Sequence, residues 1–324
     1  MNSKPLDNSP TGTAITPELV REAAHRIAPL IHRTPIFTSR SASALAGHPL
    51  FFKCENFQRG GAFKIRGASN MALSLSAEQI ARGIVAFSSG NHAQATAIAA
   101  RHVGATATIV MPLDAPRAKV EPTRALGANI ITYDRLKEDR EVIAARILED
   151  TGATLVPPYD HPLIIAGQGT AALELLEDHP ELDALVVCVG GGGLISGCAT
   201  IAKSMNPKIR IFGAEPALAN DTWQSFRKGE RVTIPPPETI ADGLRSPAPG
   251  KLTFPIIQRC VEDILLVSED EIREAVKFCF TRMKMVVEPS GAVSIAAALY
   301  GKLPKDVRRV GLIVSGGNMD PAGC

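Results

Sequence analysis

The chain has 324 residues, and its 35 Lys and Arg against 33 Asp and Glu give a formal charge of +2. That length allows one large α/β unit or two domains sharing a cleft, and the interspersed charges, with no basic block, exclude a nucleic-acid-binding surface. No apolar run reaches the roughly 18 residues a membrane span needs, residues 1–13 lack the apolar core of a secretion signal, and the six cysteines (54, 188, 198, 260, 279 and 324) form no C-x-x-C pair, so reduced thiols in the cytoplasm are expected.

Residues 50–54 are an apolar, strand-like run. Behind it Lys64 sits among Gly60, Gly61, Ala62, Phe63, Gly67 and Ala68. An amine beside glycines that admit a flat ligand suits a Schiff-base enzyme, while a solvated surface lysine is the ordinary alternative. Short Val/Ile-rich runs at 83–89, 106–112, 129–133, 184–189, 210–214 and 309–315 then read as strands, continuously apolar and hence parallel and buried on both faces. Helical patterns alternate with them at 91–103, 140–150, 169–177, 194–205, 269–283 and 290–300, which predicts doubly wound α/β architecture. Pro157-Pro158 punctuates the pattern as a domain crossing, and the prolines at 235, 236 and 237 mark a loop.

Three strand ends carry glycine with small polar residues. Ser88, Ser89, Gly90, Asn91 and His92 join a strand to a helix, Gly190, Gly191, Gly192, Gly193 and Leu194 do the same, and Ser315, Gly316, Gly317 and Asn318 follow the last strand. Backbone N–H groups and a helix N-terminus would converge on an anion at 190–193, either a compact phosphate or, with Glu215 after the next strand, a dinucleotide. Ser88 and Ser89 could equally serve as helix caps and His92 as a packing residue.

Together, the lysine segment and these three loops resemble the serine/threonine dehydratase and serine racemase family, pyridoxal-phosphate enzymes of fold type II, over nearly the whole chain. The resemblance is nearest to the branch holding serine racemase and threo-3-hydroxyaspartate ammonia-lyase. It implies a tryptophan synthase β-like fold of two doubly wound open parallel-sheet domains with the active site in the cleft between them. The boundaries expected are a discontinuous large domain, 1–75 and 160–324, and a small domain, 76–159. By the same resemblance Lys64 carries pyridoxal 5'-phosphate as a Schiff base, Phe63 and Asn91 contact the cofactor, Gly190, Gly191, Gly192, Gly193 and Leu194 hold its phosphate, and Ser315 faces the pyridine nitrogen. A hydroxyl there, in place of a carboxylate, makes a weaker electron sink and favours elimination over transamination.

Further residues bear on the branch. Glu215, the carbonyl of Ala219 and Asp221 resemble a loop that binds Mg²⁺, Ca²⁺ or Mn²⁺, and oxygen donors suit such hard ions. Ser89 matches the serine that faces the lysine across the substrate in serine racemases, so Lys64 and Ser89 are the candidate catalytic pair, with capping or substrate binding as the other role of Ser89. Ser88, Ser89, Asn91 and His92 are expected around the substrate, and Arg140 matches an arginine that engages a second carboxylate. The activity implied is an ammonia-lyase acting on threo-3-hydroxyaspartate, with L-serine as a poorer substrate. Serine racemase and catabolic threonine/serine dehydratase are the alternatives, and a homodimer is expected. Gly60, Gly61 and Ala62 replace the usual Thr-Gly-Ser, which with Leu30 puts nucleotide activation in doubt. With the sequence ending at Cys324, the isoleucine feedback exerted through the regulatory domain of biosynthetic threonine dehydratases is not expected.

Overall fold

A computed structural model describes residues 15–88, 90–115, 117–134 and 136–319. Ten strands occur among them: β1 (Ile36–Thr38), β2 (Leu50–Cys54), β3 (Ile84–Phe87), β4 (Ala107–Pro112), β5 (Asn129–Tyr133), β6 (Thr154–Leu155), β7 (Ala184–Cys188), β8 (Arg210–Pro216), β9 (Asp263–Val267) and β10 (Val310–Val314). They form a six-stranded sheet in the order β1-β2-β10-β7-β8-β9 and a four-stranded sheet in the order β5-β4-β3-β6. Every pairing is parallel except β1 with β2. This is the doubly wound α/β fold expected, with helices on both faces of each sheet covering apolar strands.

Burial explains which strands are continuously apolar. All five residues of β7 and all five of β10 are buried, because both strands lie in the middle of the larger sheet. Edge strand β5 has only Tyr133 buried and mixes Asn and Thr among its isoleucines. One apolar cluster fills the larger sheet and its helices, and a second joins β3 and β4 to the helices Lys64–Ala72 and Asn91–Val103.

Two helices differ from the sequence expectation. The helix expected from 169 runs from Pro162 to Asp178, opened by a His161 side chain that accepts from Leu163 N at 3.2 Å. Its glycines, which suggest a late start, are close-approach positions: a Cβ on Gly169 would lie 2.6 Å from Gly197 O and one on Gly167 2.7 Å from Arg66 O. The helix expected over 269–283 ends at Phe278, and a wider π-turn, Cys279–Met283, carries the chain to Lys284 at φ 59°. Strands β1, β6 and β9 and several helices, Lys64–Ala72 among them, have no counterpart among the expected elements.

The chain enters the four-stranded sheet after Ala72 and leaves it after Leu155. Pro157-Pro158 lies on this return path, and the helix Pro162–Asp178 then leads into β7. Carboxyl ends of β2, β3, β7 and β10 all feed the loops singled out by sequence. Open α/β sheets bind ligands at such ends.

Candidate active site

Lys64 is the first residue of the helix Lys64–Ala72. Its Nζ donates to Pro158 O at 2.7 Å. Loss of water around the ammonium pushes its pKa down to about 8, against the opposing pull of Cys188 and Glu288. The segment before it is stapled to the end of β10: Phe63 N donates to Ser315 O at 3.0 Å, Gly317 N to Gly61 O at 2.9 Å, and Asn318 Nδ2 to Gly60 O at 2.7 Å. Gly60 and Gly61 lie at φ 73° and 71°, and a Cβ on Gly61 would strike the Asn318 amide. Gly61 is therefore required in this turn, and Gly60 suits its left-handed backbone.

A cavity of about 1080 Å³ opens above the lysine. Its wall includes Phe63, Ser88, Asn91, His92, Arg140, Gly190, Gly191, Gly192, Gly193, Leu194 and Ser315 together with Lys64, so residues expected from all three strand-end loops meet in one place. Ser89 lies outside the described residues. Ser88 Oγ accepts from Gly90 N at 3.2 Å, the local capping role.

Asn91 opens the helix Asn91–Val103 and its amide orientation is fixed at both ends. Nδ2 donates to Glu288 Oε1 at 2.6 Å, and Oδ1 accepts from Asn318 Nδ2 at 3.0 Å. His92 is buried, its Nε2 bonded to Val156 O at 2.8 Å. A carbonyl partner makes Nε2 the donor, and burial, then the nearby Lys64 charge, pushes the imidazole pKa down to about 3. His92 is thus neutral at physiological pH and brings no positive charge to a substrate carboxylate. Arg140 begins the helix Arg140–Thr151 at the exposed side, its guanidinium 5.2 Å from the Phe87 ring centroid.

Gly190 to Gly193 join β7 to the helix Gly193–Met205, with Gly192 at φ 91°. The loop is braced from behind: Gly191 O accepts from Gly250 N at 3.1 Å and from Thr253 Oγ1 at 2.7 Å. A Cβ on Gly191 would collide with the Tyr159 ring, and one on Gly193 would lie 2.9 Å from Tyr159 Cβ. Bare backbone N–H groups at a helix N-terminus fit a phosphate. With an amine of lowered pKa in the same cavity and the Ser315 hydroxyl in its wall, these residues fit pyridoxal phosphate.

Sequence reasoning missed Glu288, Tyr159 and Cys188. Glu288 is buried beside Asn91 and within electrostatic reach of Lys64; its signal is an acid between Val287 and Pro289 at the entry of an apolar helix. Tyr159 follows the proline pair, and Cys188 is the last residue of β7, its thiol pushed up to about 11 by burial.

The expected metal residues lie away from the cavity wall, at the end of β8 and the start of the helix Asp221–Lys228. Glu215 accepts from Thr222 N at 3.2 Å and Trp223 N at 2.8 Å. Both carboxylates and Ala219 are fully buried. The Asp221 N–H and the Thr222 hydroxyl face the Asp221 carboxylate, yet neither of its oxygens has a hydrogen bond of good geometry. Burial and the Asp221 charge raise Glu215 well above the usual carboxylate range, and burial pushes Asp221 up to about 7. Two dry acids with free lone pairs fit a hard divalent cation.

Fold and cavity together define a two-sheet α/β enzyme built around a lysine and a glycine loop that fits a phosphate. Residues 27–316 match the family of pyridoxal-phosphate dependent enzymes, and the chain belongs to that family. It is 50% identical over 301 residues to a serine racemase of Schizosaccharomyces pombe, covering 93% of each chain. It is also 50% identical over 301 residues to an L-threo-3-hydroxyaspartate ammonia-lyase of Saccharomyces cerevisiae, covering 93% of this chain and 92% of that one. The structure of maize serine racemase superposes with a TM-score of 0.93 at 47% identity, covering 96% of both chains.

Proposed function

We propose that this chain is a pyridoxal-phosphate-dependent ammonia-lyase that converts threo-3-hydroxyaspartate to oxaloacetate and ammonia, with L-serine as a poorer substrate. The observation that carries the reading is the cavity that brings Lys64, the 190–193 loop, Asn91, Ser315 and Arg140 together. Pyridoxal phosphate, when bound, supplies an electron sink for negative charge at the substrate Cα. Lys64 is the group to hold it, and its amine, with a pKa of about 8, is suited to take the Cα proton near neutral pH. Gly190, Gly191, Gly192, Gly193 and Leu194 would hold the phosphate, Phe63 and Asn91 would bear on the ring, and Ser315 would face the ring nitrogen with a neutral hydroxyl. Water is lost from the Cα–Cβ bond and regained on hydrolysis, so the net products are keto acid and ammonia.

Arg140 supports the choice of substrate. Its guanidinium lines the cavity and offers a fork to a second carboxylate, which hydroxyaspartate has and serine lacks. Ser88, Ser89, Asn91 and His92 are the remaining substrate contacts of this reading, and Ser89 opposite Lys64 would permit racemisation as a side activity. The similarity to the Schizosaccharomyces racemase favours serine racemase as the second reading. Glu215, the Ala219 carbonyl and Asp221 would hold Mg²⁺, or Ca²⁺ or Mn²⁺. The domain division at 75/76 and 159/160, a homodimer and a cytoplasmic location belong to the same proposal; among the described residues no helix is long and apolar enough to cross a membrane.

A substrate panel tests it. Release of oxaloacetate from hydroxyaspartate should exceed formation of pyruvate from serine and of 2-oxobutyrate from threonine in kcat/KM. More D-serine than pyruvate from L-serine would move the assignment to racemase. Borohydride should fix the cofactor to Lys64, and Lys64→Ala should abolish the covalent link.

A further inference from the structure

Two residues past Lys64, Arg66 is completely buried in a network of charged groups that no step above uses. Its Nε and Nη2 donate to Glu55 at 2.7 and 2.8 Å, Nη1 and Nη2 to Glu174 at 2.7 and 2.8 Å, and Nη1 to Thr170 Oγ1 at 3.0 Å. All five guanidinium N–H groups are thereby engaged. Lys53 Nζ adds bonds to Glu174 at 2.6 Å and Thr34 O at 2.8 Å, and Thr34 Oγ1 donates to Glu55 at 2.5 Å. Lys53, Glu55 and Arg66 have no exposure and Glu174 has 8%. Two cations and two anions make the network neutral.

Stability is a weak reason for such a network. Removing four charges from water costs as much as their attraction returns, and apolar replacements of buried ion networks are often as stable. Position is the better reason. Glu55 directly follows β2 and Arg66 lies on the first turn of the Lys64 helix, so the fork between them closes the loop that carries Phe63 and Lys64. Glu174 ties the same point to the helix Pro162–Asp178, where Gly67 N donates to Gln168 Oε1 at 3.2 Å and Asn70 Nδ2 to Leu163 O at 2.7 Å. The two helix backbones almost touch, with a Cβ on Gly167 falling 2.7 Å from Arg66 O.

We infer that the Lys53–Glu55–Arg66–Glu174 network is a positioning device that sets where the Lys64 amine stands against the glycine loop. Arg66 is its keystone, because only a guanidinium can make both forks at once. This rests on Lys64 as the cofactor lysine, and a parent protein without cofactor colour overturns both.

The test is Arg66→Lys in the holoenzyme, which keeps the charge and loses the forks. Three quantities are measured: the rate at which hydroxylamine strips the cofactor absorbance, kcat and KM, and the thermal midpoint. Ile272→Ala, a core truncation in the helix Glu269–Phe278, supplies a destabilised control. Stripping about tenfold faster and kcat about tenfold lower, with KM within about threefold, is the expected result for Arg66→Lys. The control should lower only the thermal midpoint. An Arg66→Lys protein whose stripping rate and kcat stay within about twofold of the parent, or in which KM alone rises, overturns the positioning role. Should Arg66→Lys fail to fold, Thr170→Val removes at constant shape the bond from Arg66 Nη1, together with the hydroxyl's own local bond to Gly167 O at 2.7 Å. Stripping about two- to threefold faster supports the inference and a parental rate overturns it.

Discussion

Asn91 Nδ2 and Glu288 Oε1 are 2.6 Å apart, a hydrogen bond that joins the helix following β3 of the four-stranded sheet to the entry of the helix Pro289–Leu299 on the six-stranded one. The carboxylate also raises the pKa of Lys64, partly offsetting the larger effect of burial. One acid thus orients an amide and moderates a base.

Glu288→Gln keeps an acceptor for Asn91 and removes the charge. With the Glu288 share of the opposing pull gone and that of Cys188 kept, the Lys64 pKa falls below about 8, so the amine is uncharged at lower pH. The acid limb of the kcat profile should move to lower pH while KM changes little. An unmoved limb would separate Glu288 from the lysine.

Asp221 links the candidate cation site to stability. Its pKa rises from 3.8 unfolded to about 7 folded without a cation, so the native state holds the extra proton in between. That contribution is fully present below about pH 4 and is lost as pH rises through about 7. In chelator the thermal midpoint should therefore fall over this window, and Mg²⁺ should restore it most at the alkaline end. Asp221→Asn should flatten both responses. Equal melting curves with chelator and with Mg²⁺ at pH 8 would remove Glu215 and Asp221 as ligands.

Arg140→Ala should lower kcat/KM for hydroxyaspartate about a hundredfold, the cost of stranding a carboxylate without its partner. For L-serine the change should stay within about threefold, since serine has no second carboxylate. Equal losses on the two substrates would assign Arg140 to the fold or to a common step.

Gly191→Ala places a methyl group against the Tyr159 ring. The loop or the ring must shift, and cofactor affinity should fall by about tenfold or more. Tyr159→Ala in the same chain should recover part of the loss, as measured by titration of the cofactor absorbance. No recovery would locate the clash elsewhere.

Legibility in the sequence followed the distribution of burial. β7 and β10 read as strands because every residue of each is buried between helices. The motif loops read as site loops because each ends a parallel strand. β9, Asp263–Val267, escaped notice as four apolar residues behind an aspartate, with no glycine motif after them. The helix Lys64–Ala72 escaped it because Gly67, a residue that usually discourages helix, is demanded by the approach of Gln168. Glu288, Tyr159 and Arg66 gain their meaning from partners 100 or more residues distant or from loops that fold back, contacts that a local pattern does not encode.

The return path between the sheets has a mechanical consequence. Pro158 holds the Lys64 amine, Tyr159 lies on Gly191, and the Asp160 carboxylate accepts from Lys251 N at 2.7 Å and Leu252 N at 2.9 Å. Three consecutive residues grip three separate segments, so this strip is pinned at three points. A rotation of the four-stranded sheet that preserved those grips would leave the lysine and glycine loop at rest, carry Ser88 and Arg140 with the facing wall, and be limited by the bonds of Asn91 to Glu288 and Asn318. Substrate could then be enclosed while Lys64 and the glycine loop keep their places.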